Sequence, residues 1–275
     1  MMKTHSIWMT VAICIVSLSR SRGKTSLIEY LVKELRRRGV KVATIKHTSE
    51  PFDVQGKDTW RHIEAGSLEV ACVTPMELVT IKRGEVTLED AISFLHVKPD
   101  VILAEGFKRS NKPKILCAEN VEEVDQALNK ISNIIAISGA VAEKLDQAKA
   151  LRNKYPQTPV MKPEELIDFV KDLVVKEWLK NLPRLDCGHC KYGSCAAMAK
   201  ALTEGKATID ECVVISTAIS RISVDGKEIP LSKWPQIVLK EIILGFLRSL
   251  KLKDVKLDEA RILDVRISLS EDEYR

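Results

Sequence analysis

The hydrophobic residues of the first 160 positions form short continuous runs that alternate with stretches of helical periodicity. The continuous apolar runs are typical of strands buried on both faces of a parallel sheet, and they cover residues 8–18, 40–45, 100–104, 114–118 and 134–138. Helical spacing predicts helices at residues 24–38, 59–65, 88–95, 122–130 and 141–152. Short strands are predicted at residues 69–73 and 77–81. The alternation predicts an α/β fold with a mostly parallel sheet and helices on both faces.

The pattern changes after residue 162. A long helix is predicted from Pro163 to Leu182, where Pro183 ends it. A strand-like stretch with an Asp225–Gly226 hairpin signal, a helix and a last strand follow at residues 213–231, 235–250 and 260–270. We therefore predict an α/β domain, a helical connector and a small α+β domain at residues 1–162, 163–183 and 184–275.

Composition narrows the class of protein. The chain has 275 residues, of which 45% are hydrophobic and 29% charged, a balance typical of a globular protein with a buried core. The net charge of +5 is too small to predict a nucleic-acid partner. The apolar run at residues 7–18 is too short to span a bilayer, so no membrane association is predicted. We interpret this run as a buried strand, with a targeting segment as the alternative.

A phosphate-binding loop is predicted between the first strand and the first helix. Gly23, Lys24 and Thr25 match the end of the pattern G-x4-G-K-[ST]. In that pattern helix N–H groups bind phosphate, the lysine reaches the β- and γ-phosphates, and the hydroxyl ligates Mg²⁺. Leu18 replaces the first glycine, which would ease the turn. Two arginines either add positive charge near the phosphates or face solvent: Arg20 and Arg22.

Polar residues also follow other predicted strands. Glu105 ends the apolar run at residues 100–104, where an acid would hold Mg²⁺ or its waters, whereas Asp100 is predicted to be a strand-entry residue. Residues 46–48 follow the second strand. Ligands of open α/β sheets bind at the carboxyl ends of the strands, so these segments are predicted to converge with the phosphate loop. Lys24 and Glu105 are the predicted catalytic residues; a solvated loop acid is the alternative for Glu105.

The seven cysteines divide into two groups. Cys14, Cys72 and Cys117 lie in apolar runs and are predicted to be buried. The others follow C-x2-C-x4-C-x16-C, an arrangement suited to four thiolate ligands, and are predicted to bind a [4Fe–4S] cluster: Cys187, Cys190, Cys195 and Cys212. Zinc is the alternative, although zinc sites usually pair two short knuckles. Thiolate ligands predict a reducing, cytoplasmic setting.

Four motifs in order give residues 10–120 a resemblance to a known family. They are the phosphate loop, IKH after the second strand, DVQGKDT, and AEGFK after the run at residues 100–104. This part of the chain resembles the molybdopterin-guanine dinucleotide biosynthesis protein B (MobB) family. The resemblance implies a P-loop NTPase-like, GTP-binding fold, often a homodimer, with weak GTPase activity. It also implies a MobA-like guanylyltransferase or a molybdoenzyme as partner, in the attachment of GMP to molybdopterin.

The resemblance also implies roles for individual residues. Thr25 and Glu105 would serve Mg²⁺. The residues that would bind nucleotide or line the adjacent site are Ser21, Arg22, Gly23, Lys24, Thr25, Ser26, Lys46, His47, Asp53, Gly56, Lys57 and Asp58. The segment between His47 and Gly56 is shorter than the family's and lacks its second histidine, and the alternative for His47 is a structural residue at the strand end.

Residues 187–212, which we call the cysteine segment, resemble a second family: the four-cysteine [4Fe–4S] domain of corrinoid proteins and Rnf-type electron-transport subunits. The first functional hypothesis is a MobB-like GTP-binding protein of molybdenum or tungsten cofactor biosynthesis that carries an iron–sulfur cluster. The second is a nucleotide-gated electron-transfer protein or a carrier of iron–sulfur clusters or metals. The third is a metal-insertion GTPase or a nucleoside kinase. The IKH and EGFK motifs favour the first.

Overall fold

The computed structural model describes residues 10–19, 23–216, 220, 222–224, 227–229, 231 and 233–250. The chain divides into two compact units between Cys212 and Val213. Several predictions lie outside the described residues: the roles of Arg20, Ser21 and Arg22, and the strand at residues 260–270.

A five-stranded parallel sheet forms the centre of the first unit, with strand order β2-β5-β1-β6-β7. Its strands are β1 Val11–Val16, β2 Val42–Lys46, β5 Val101–Glu105, β6 Lys114–Cys117 and β7 Ile134–Ser138. A separate antiparallel hairpin consists of β3 Val70–Val73 and β4 Leu78–Ile81. The predicted fold class, α/β with a mostly parallel sheet, is confirmed.

Helices connect these strands and extend beyond the last one. In the first unit they are α1 Lys24–Arg37, α2 Asp58–Glu64, α3 Leu88–Ser93, α4 Val121–Lys130, α5 Ala140–Glu143, α6 Leu145–Lys154, α7 Pro163–Asn181 and α8 Cys195–Thr203. The single helix predicted at residues 141–152 is therefore wrong, because the backbone of Lys144 is extended and separates α5 from α6.

The sheet is buried on both faces, which explains the continuous apolar runs. Along β1, Ile13 and Ile15 enter a core cluster with α1 and α7, whereas Cys14 and Val16 enter a second cluster on the opposite face. Successive residues of a strand point to opposite faces, so every position of β1 from Ile13 onward must be apolar. The rigid β1 then leads directly into the phosphate loop.

Helix α7 belongs to the core of the first unit. Four buried residues of α7 join the cluster that covers α1 and β1: Leu166, Ile167, Val170 and Val174. The cysteine segment lies in this same unit, which extends to Cys212. The predicted connector is thus a packed core helix, while the functional division at residues 162 and 184 stays a prediction.

The cysteine segment meets the C-terminal end of α1 at very short range. Gly39 follows α1 with a positive φ of 88°, and a Cβ placed on it would lie 2.0 Å from the carbonyl oxygen of Glu204. Only glycine fits both the backbone conformation and this approach. Glu204 caps α8 and also pairs with Lys171 of α7 at 3.5 Å.

The described residues of the second unit are α9 Val213–Ser216, β8 Ile222–Val224, β9 Lys227–Ile229 and α10 Lys233–Ser249. Strands β8 and β9 pair antiparallel across residues 225–226, as the Asp-Gly pair predicted. The strand predicted immediately after Cys212 is wrong, because residues 213–216 are helical.

Candidate functional site

The predicted site residues meet at the carboxyl edge of the sheet. Three adjacent parallel strands end side by side. Glu105 of β5 lies opposite Ile15 of β1 on one side and opposite Lys46 of β2 on the other. The chain leaves each strand on the same side, so the phosphate loop, the residues after Glu105 and His47 share one edge. This convergence follows from the topology that the sequence predicted.

The phosphate loop, residues 18–25, ends at the N-terminus of α1. Gly23 has a left-handed φ of 73°, and no side chain caps the helix within the described residues. The first turn contains no acid. The exposed Ser26 lies in this turn. An uncapped helix N-terminus of this length presents N–H groups and a positive dipole end, the features that bind phosphate.

A buried serine organises the first half of the loop. The Ser17 hydroxyl, which is 1% exposed, donates to the Ser19 carbonyl at 2.6 Å and accepts from Lys24 Nζ at 2.9 Å. The Lys24 side chain is therefore directed back toward the end of β1. The apolar pattern of β1 gave no signal for Ser17.

The two predicted Mg²⁺ ligands contact each other. The Thr25 hydroxyl donates to Glu105 Oε2 at 3.2 Å. A hydroxyl and a carboxylate supply oxygen ligands of the kind that Mg²⁺ prefers, and here they lie together at the predicted phosphate site. The pair joins α1 to β5 and confirms that Glu105 lies beside the phosphate loop.

Leu18 contributes to the core as well as to the loop. Its partly buried side chain packs against the core cluster that contains Cys14 and Val16. Its carbonyl accepts a hydrogen bond from Lys108 Nζ at 2.9 Å. The sequence analysis did not select Lys108, although the EGFK motif contains it.

Residues 105–108, the EGFK turn, have an unusual backbone. Gly106 has a φ of 93°, and Phe107 has a φ of 55°, which is uncommon for a bulky residue and costs conformational energy. The His47 ring contacts the Phe107 ring edge-on, with 5.1 Å between centroids. His47 supports this turn, which agrees with its alternative interpretation as a structural residue.

The remaining predicted site residues lie in the segment before α2. Asp53 Oδ1 accepts from the Thr59 hydroxyl at 2.8 Å, and Asp53 Oδ2 is buried with no hydrogen-bond partner in the described part of the chain. Gly56 has a φ of 85°, and Lys57 and Asp58 are exposed at the start of α2. A buried acceptor of this kind fits a donor from a bound ligand.

Burial and neighbouring charge shift the pKa values of groups near the loop. Burial lowers the pKa of Lys108, and the adjacent Lys24 charge lowers it further. Burial raises the pKa of Cys117 to about 12, so this thiol stays protonated at neutral pH. Cys14 and Cys117 are buried as predicted, but Cys72 is exposed, because β3 belongs to a hairpin apart from the main sheet.

Two carboxylates organise the cysteine segment. Asp186 Oδ1 accepts from the backbone N–H of Cys195 at 2.7 Å. Glu211 accepts from the Tyr192 hydroxyl at 3.0 Å and pairs with Lys191 at 2.6 Å, and these contacts lower its pKa. Glu211 precedes Cys212 in the chain, so it links the loop of the first three cysteines to the fourth.

The four thiols differ in exposure. Cys187 is exposed, Cys190 and Cys195 are half-buried, and Cys212 is buried. Among the described residues no group of three or more His, Cys, Asp or Glu side chains is close enough to hold a metal ion. The donor set itself, four thiols in one compact unit, fits the ligands of a [4Fe–4S] cluster.

Among the described helices, none combines the length and the apolar character that a membrane span requires.

The parallel sheet, the loop at its carboxyl edge and the Lys24, Thr25 and Glu105 contacts define a P-loop NTPase-like protein. The sequence profile "MobB: Molybdopterin guanine dinucleotide synthesis protein B" matches residues 12–140, and the profile "Putative Fe-S cluster" matches residues 182–214. The chain belongs to the MobB family.

The chain is similar to several named proteins and to solved structures. The Haemophilus influenzae "Molybdopterin-guanine dinucleotide biosynthesis adapter protein" is 33% identical over 49% of this chain and 78% of its own length. A Methanocaldococcus jannaschii protein, "Putative molybdopterin-guanine dinucleotide biosynthesis adapter protein", is 28% identical over 91% of this chain and 95% of its own length. The crystal structure of Bacillus subtilis MobB covers 61% of this chain and 96% of that chain, at 23% identity and a TM-score of 0.45.

Proposed function

We propose that this protein is a GTP-binding adapter in the formation of molybdopterin guanine dinucleotide. In this proposal it presents a guanine nucleotide to a MobA-like guanylyltransferase or to a molybdoenzyme partner. The named relatives support the adapter role. The nucleotide site rests on one observation: at the carboxyl edge of the sheet, Lys24 contacts Ser17 and Thr25 contacts Glu105.

The arrangement suits binding better than rapid hydrolysis. Lys24 and the helix N-terminus would neutralise the phosphates, and Thr25 with Glu105 would hold Mg²⁺ or its waters. The described residues of the site do not include a side chain with an evident role in positioning an attacking water. Weak GTPase activity is therefore expected. In it, Lys24 would stabilise charge on the phosphates and Glu105 would hold Mg²⁺ or its waters.

We assign the [4Fe–4S] cluster to Cys187, Cys190, Cys195 and Cys212. The profile match at residues 182–214 and the thiol donor set support this assignment. When bound, such a cluster supplies one-electron chemistry or a rigid structural link. The residues of the chain contribute the thiolates and the loop contacts of Asp186 and Glu211.

The second candidate function is nucleotide-gated electron transfer or cluster delivery. Only the cysteine segment favours it, because four thiols in one segment are more than an adapter needs. It predicts that bound nucleotide changes the reduction potential or the rate of release of the cluster.

A homodimer is also part of the proposal. The hairpin β3–β4 presents apolar side chains to solvent, with Leu68, Val73, Met76 and Leu78 all more than half exposed. Exposed apolar area of this kind is typical of an interface, and a second copy of the chain is the expected occupant. Met76→Lys should shift the mass measured by light scattering from dimer to monomer, whereas a wild-type monomer would remove the dimer from the proposal.

The nucleotide site is tested by the affinity for GTP with Mg²⁺, measured by titration calorimetry. Lys24→Ala should weaken GTP binding about a hundredfold, because a charge-assisted contact to phosphate is lost. Lys33→Ala is the matched control, since Lys33 is an exposed lysine on the same helix. If Lys24→Ala binds GTP as tightly as wild type, the proposed site is wrong.

A further inference from the structure

We propose that Lys108 is a second phosphate-binding lysine of this site, which contacts the nucleotide phosphates while it holds the Leu18 carbonyl. This inference rests on the nucleotide site proposed above and deepens it. It assigns a function to a residue outside the G-x4-G-K-[ST] pattern.

Lys108 lies at the start of the phosphate loop. Lys108 Nζ lies 2.9 Å from the Leu18 carbonyl oxygen, at the first position of the phosphate loop. Lys24 Nζ donates a hydrogen bond to Ser17, the residue before Leu18. An ammonium group has three N–H donors, so one bond to Leu18 leaves two for a ligand. Two lysines from different segments therefore contact adjacent residues at the start of the loop.

Lys24 and Lys108 place two positive charges close together. Neither Lys24 nor Lys108 forms an ion pair with a carboxylate in the described part of the chain; both donate to uncharged oxygens. Two neighbouring ammonium groups repel each other, and the Lys24 charge adds to the burial that mainly lowers the pKa of Lys108. A polyphosphate would pair with both charges and remove this repulsion. The arrangement suits a ligand with several negative charges.

The backbone of the EGFK turn is strained. Phe107, immediately before Lys108, has a φ of 55°. Such conformations persist where the surrounding structure enforces them, often at functional sites. Here the strained turn places Glu105 against Thr25 and Lys108 against Leu18. One turn of four residues thus contacts both ends of the phosphate loop.

A neighbouring lysine fixes the end of this segment. Lys114 is fully buried, and its Nζ donates to the carbonyl oxygens of Ser110 and Lys112, at 2.5 Å and 3.1 Å. The chain from Glu105 to Lys114 is therefore anchored at both ends, by β5 and by β6. Lys108 is supported by a rigid segment, as a binding residue should be.

The test separates a phosphate contact from a purely structural bond to Leu18. Wild type, Lys108→Met, Lys108→Arg and Lys24→Ala are titrated with GTP, GDP and GMP in the presence of Mg²⁺. A phosphate contact predicts that Lys108→Met weakens GTP binding about tenfold or more, with a smaller loss for GMP, and that Lys108→Arg stays near wild type. Lys112→Ala is the control, since Lys112 lies in the same segment and pairs with Glu89 instead.

The outcomes are distinguishable. If Lys108→Met lost the same affinity for GTP and for GMP, Lys108 would serve only to hold the loop through Leu18. That result would overturn the inference. Unchanged GTP binding in Lys108→Met, together with a large loss in Lys24→Ala, would overturn it as well and leave the nucleotide site intact. A wild-type protein that binds none of the three nucleotides would reject the proposed function itself.

Discussion

The phosphate edge and the cysteine segment reach their ligands in different ways. At the phosphate edge, functional residues follow strand ends that are fixed by parallel pairing, and the contacts Lys24–Ser17 and Thr25–Glu105 exist in the chain alone. In the cysteine segment the thiols range from exposed to buried, although Asp186 and Glu211 connect their loops. The fold brings the residues of the proposed nucleotide site together without a ligand, whereas we expect the thiols to come together when a metal binds.

The two regions are also apart in space. The phosphate loop adjoins the N-terminus of α1, and the cysteine segment meets its other end through Gly39 and Glu204. A helix of fourteen residues is about 20 Å long. We therefore expect a cluster bound by the cysteines to be a centre separate from the proposed nucleotide site.

The largest expected effect is loss of the cluster. Cys195→Ser or Cys212→Ser should reduce iron and sulfide, measured after anaerobic purification, from about four per chain toward zero, because a [4Fe–4S] cluster needs four thiolates. Cys72→Ser, which alters an exposed thiol outside the set, should retain them. GTP affinity should stay unchanged in all three variants. If GTP affinity followed the iron content, the two regions would be coupled and the comparison would fail.

The next effect concerns the contact between the regions. Gly39→Ala should lower the free energy of unfolding by about 3 kcal/mol, since it adds strain at positive φ and a clash with the Glu204 carbonyl. Gly66→Ala is the matched control: Gly66 also has a positive φ, but a Cβ there meets no atom within 4 Å. Urea unfolding measures both.

The difference in unfolding free energy between Gly39→Ala and Gly66→Ala measures the cost of the clash with the Glu204 carbonyl. Equal losses in Gly39→Ala and Gly66→Ala would mean that the α1–α8 contact adds nothing to stability. In that case the cysteine segment would be free to move relative to α1.

The sequence predicted much of the phosphate edge because topology alone places strand ends together. The run ending at Glu105 and the loop at Lys24 could be assigned to one edge without knowledge of any side-chain contact. Ser17 and Lys108 were missed, because their hydrogen bonds depend on loop geometry and on the φ of Phe107, which leave no periodic signal.

The errors have a common cause in missing tertiary context. Cys72 lies in an apolar run like Cys14, yet its strand pairs only within a hairpin, and the hydrophobic pattern does not distinguish the two. The sequence gives no sign that the Leu18 side chain packs against the core, and the effect of Leu18 on phosphate binding stays a prediction. The position of the cysteine segment against α1 rests on one glycine, Gly39, whose neighbour is distant in sequence.

A smaller effect would sharpen the description of the phosphate edge. Glu105→Gln should weaken Mg²⁺-dependent GTP binding about tenfold, since a carboxylate is a far better partner for the ion or its waters than an amide. The amide can still accept from Thr25, so the fold should be retained. Binding measured with EDTA should be equal in the variant and wild type, and a loss of the same size with and without Mg²⁺ would contradict the assignment of Glu105 to the metal.

The smallest effect is a pH dependence at the cysteine segment. Lys206, with a smaller contribution from Lys171, lowers the pKa of Glu204 below its ordinary value of 4.5. The unfolded chain therefore binds a proton at Glu204 more readily than the folded chain does. The stabilisation is present above pH 4.5 and is lost as the pH falls through the lower folded value.

Glu204→Gln should cost about 1 kcal/mol or less at pH 7, because both ion pairs are partly exposed to solvent. The difference between wild type and variant should shrink as the pH approaches 4, measured by urea unfolding at each pH. Glu177→Gln, which removes a surface pair with Lys180 on α7, provides the control. A difference that grows on acidification would reverse the sign and show that Glu204 is held protonated, which would remove the ionic part of the contact between α7 and the cysteine segment.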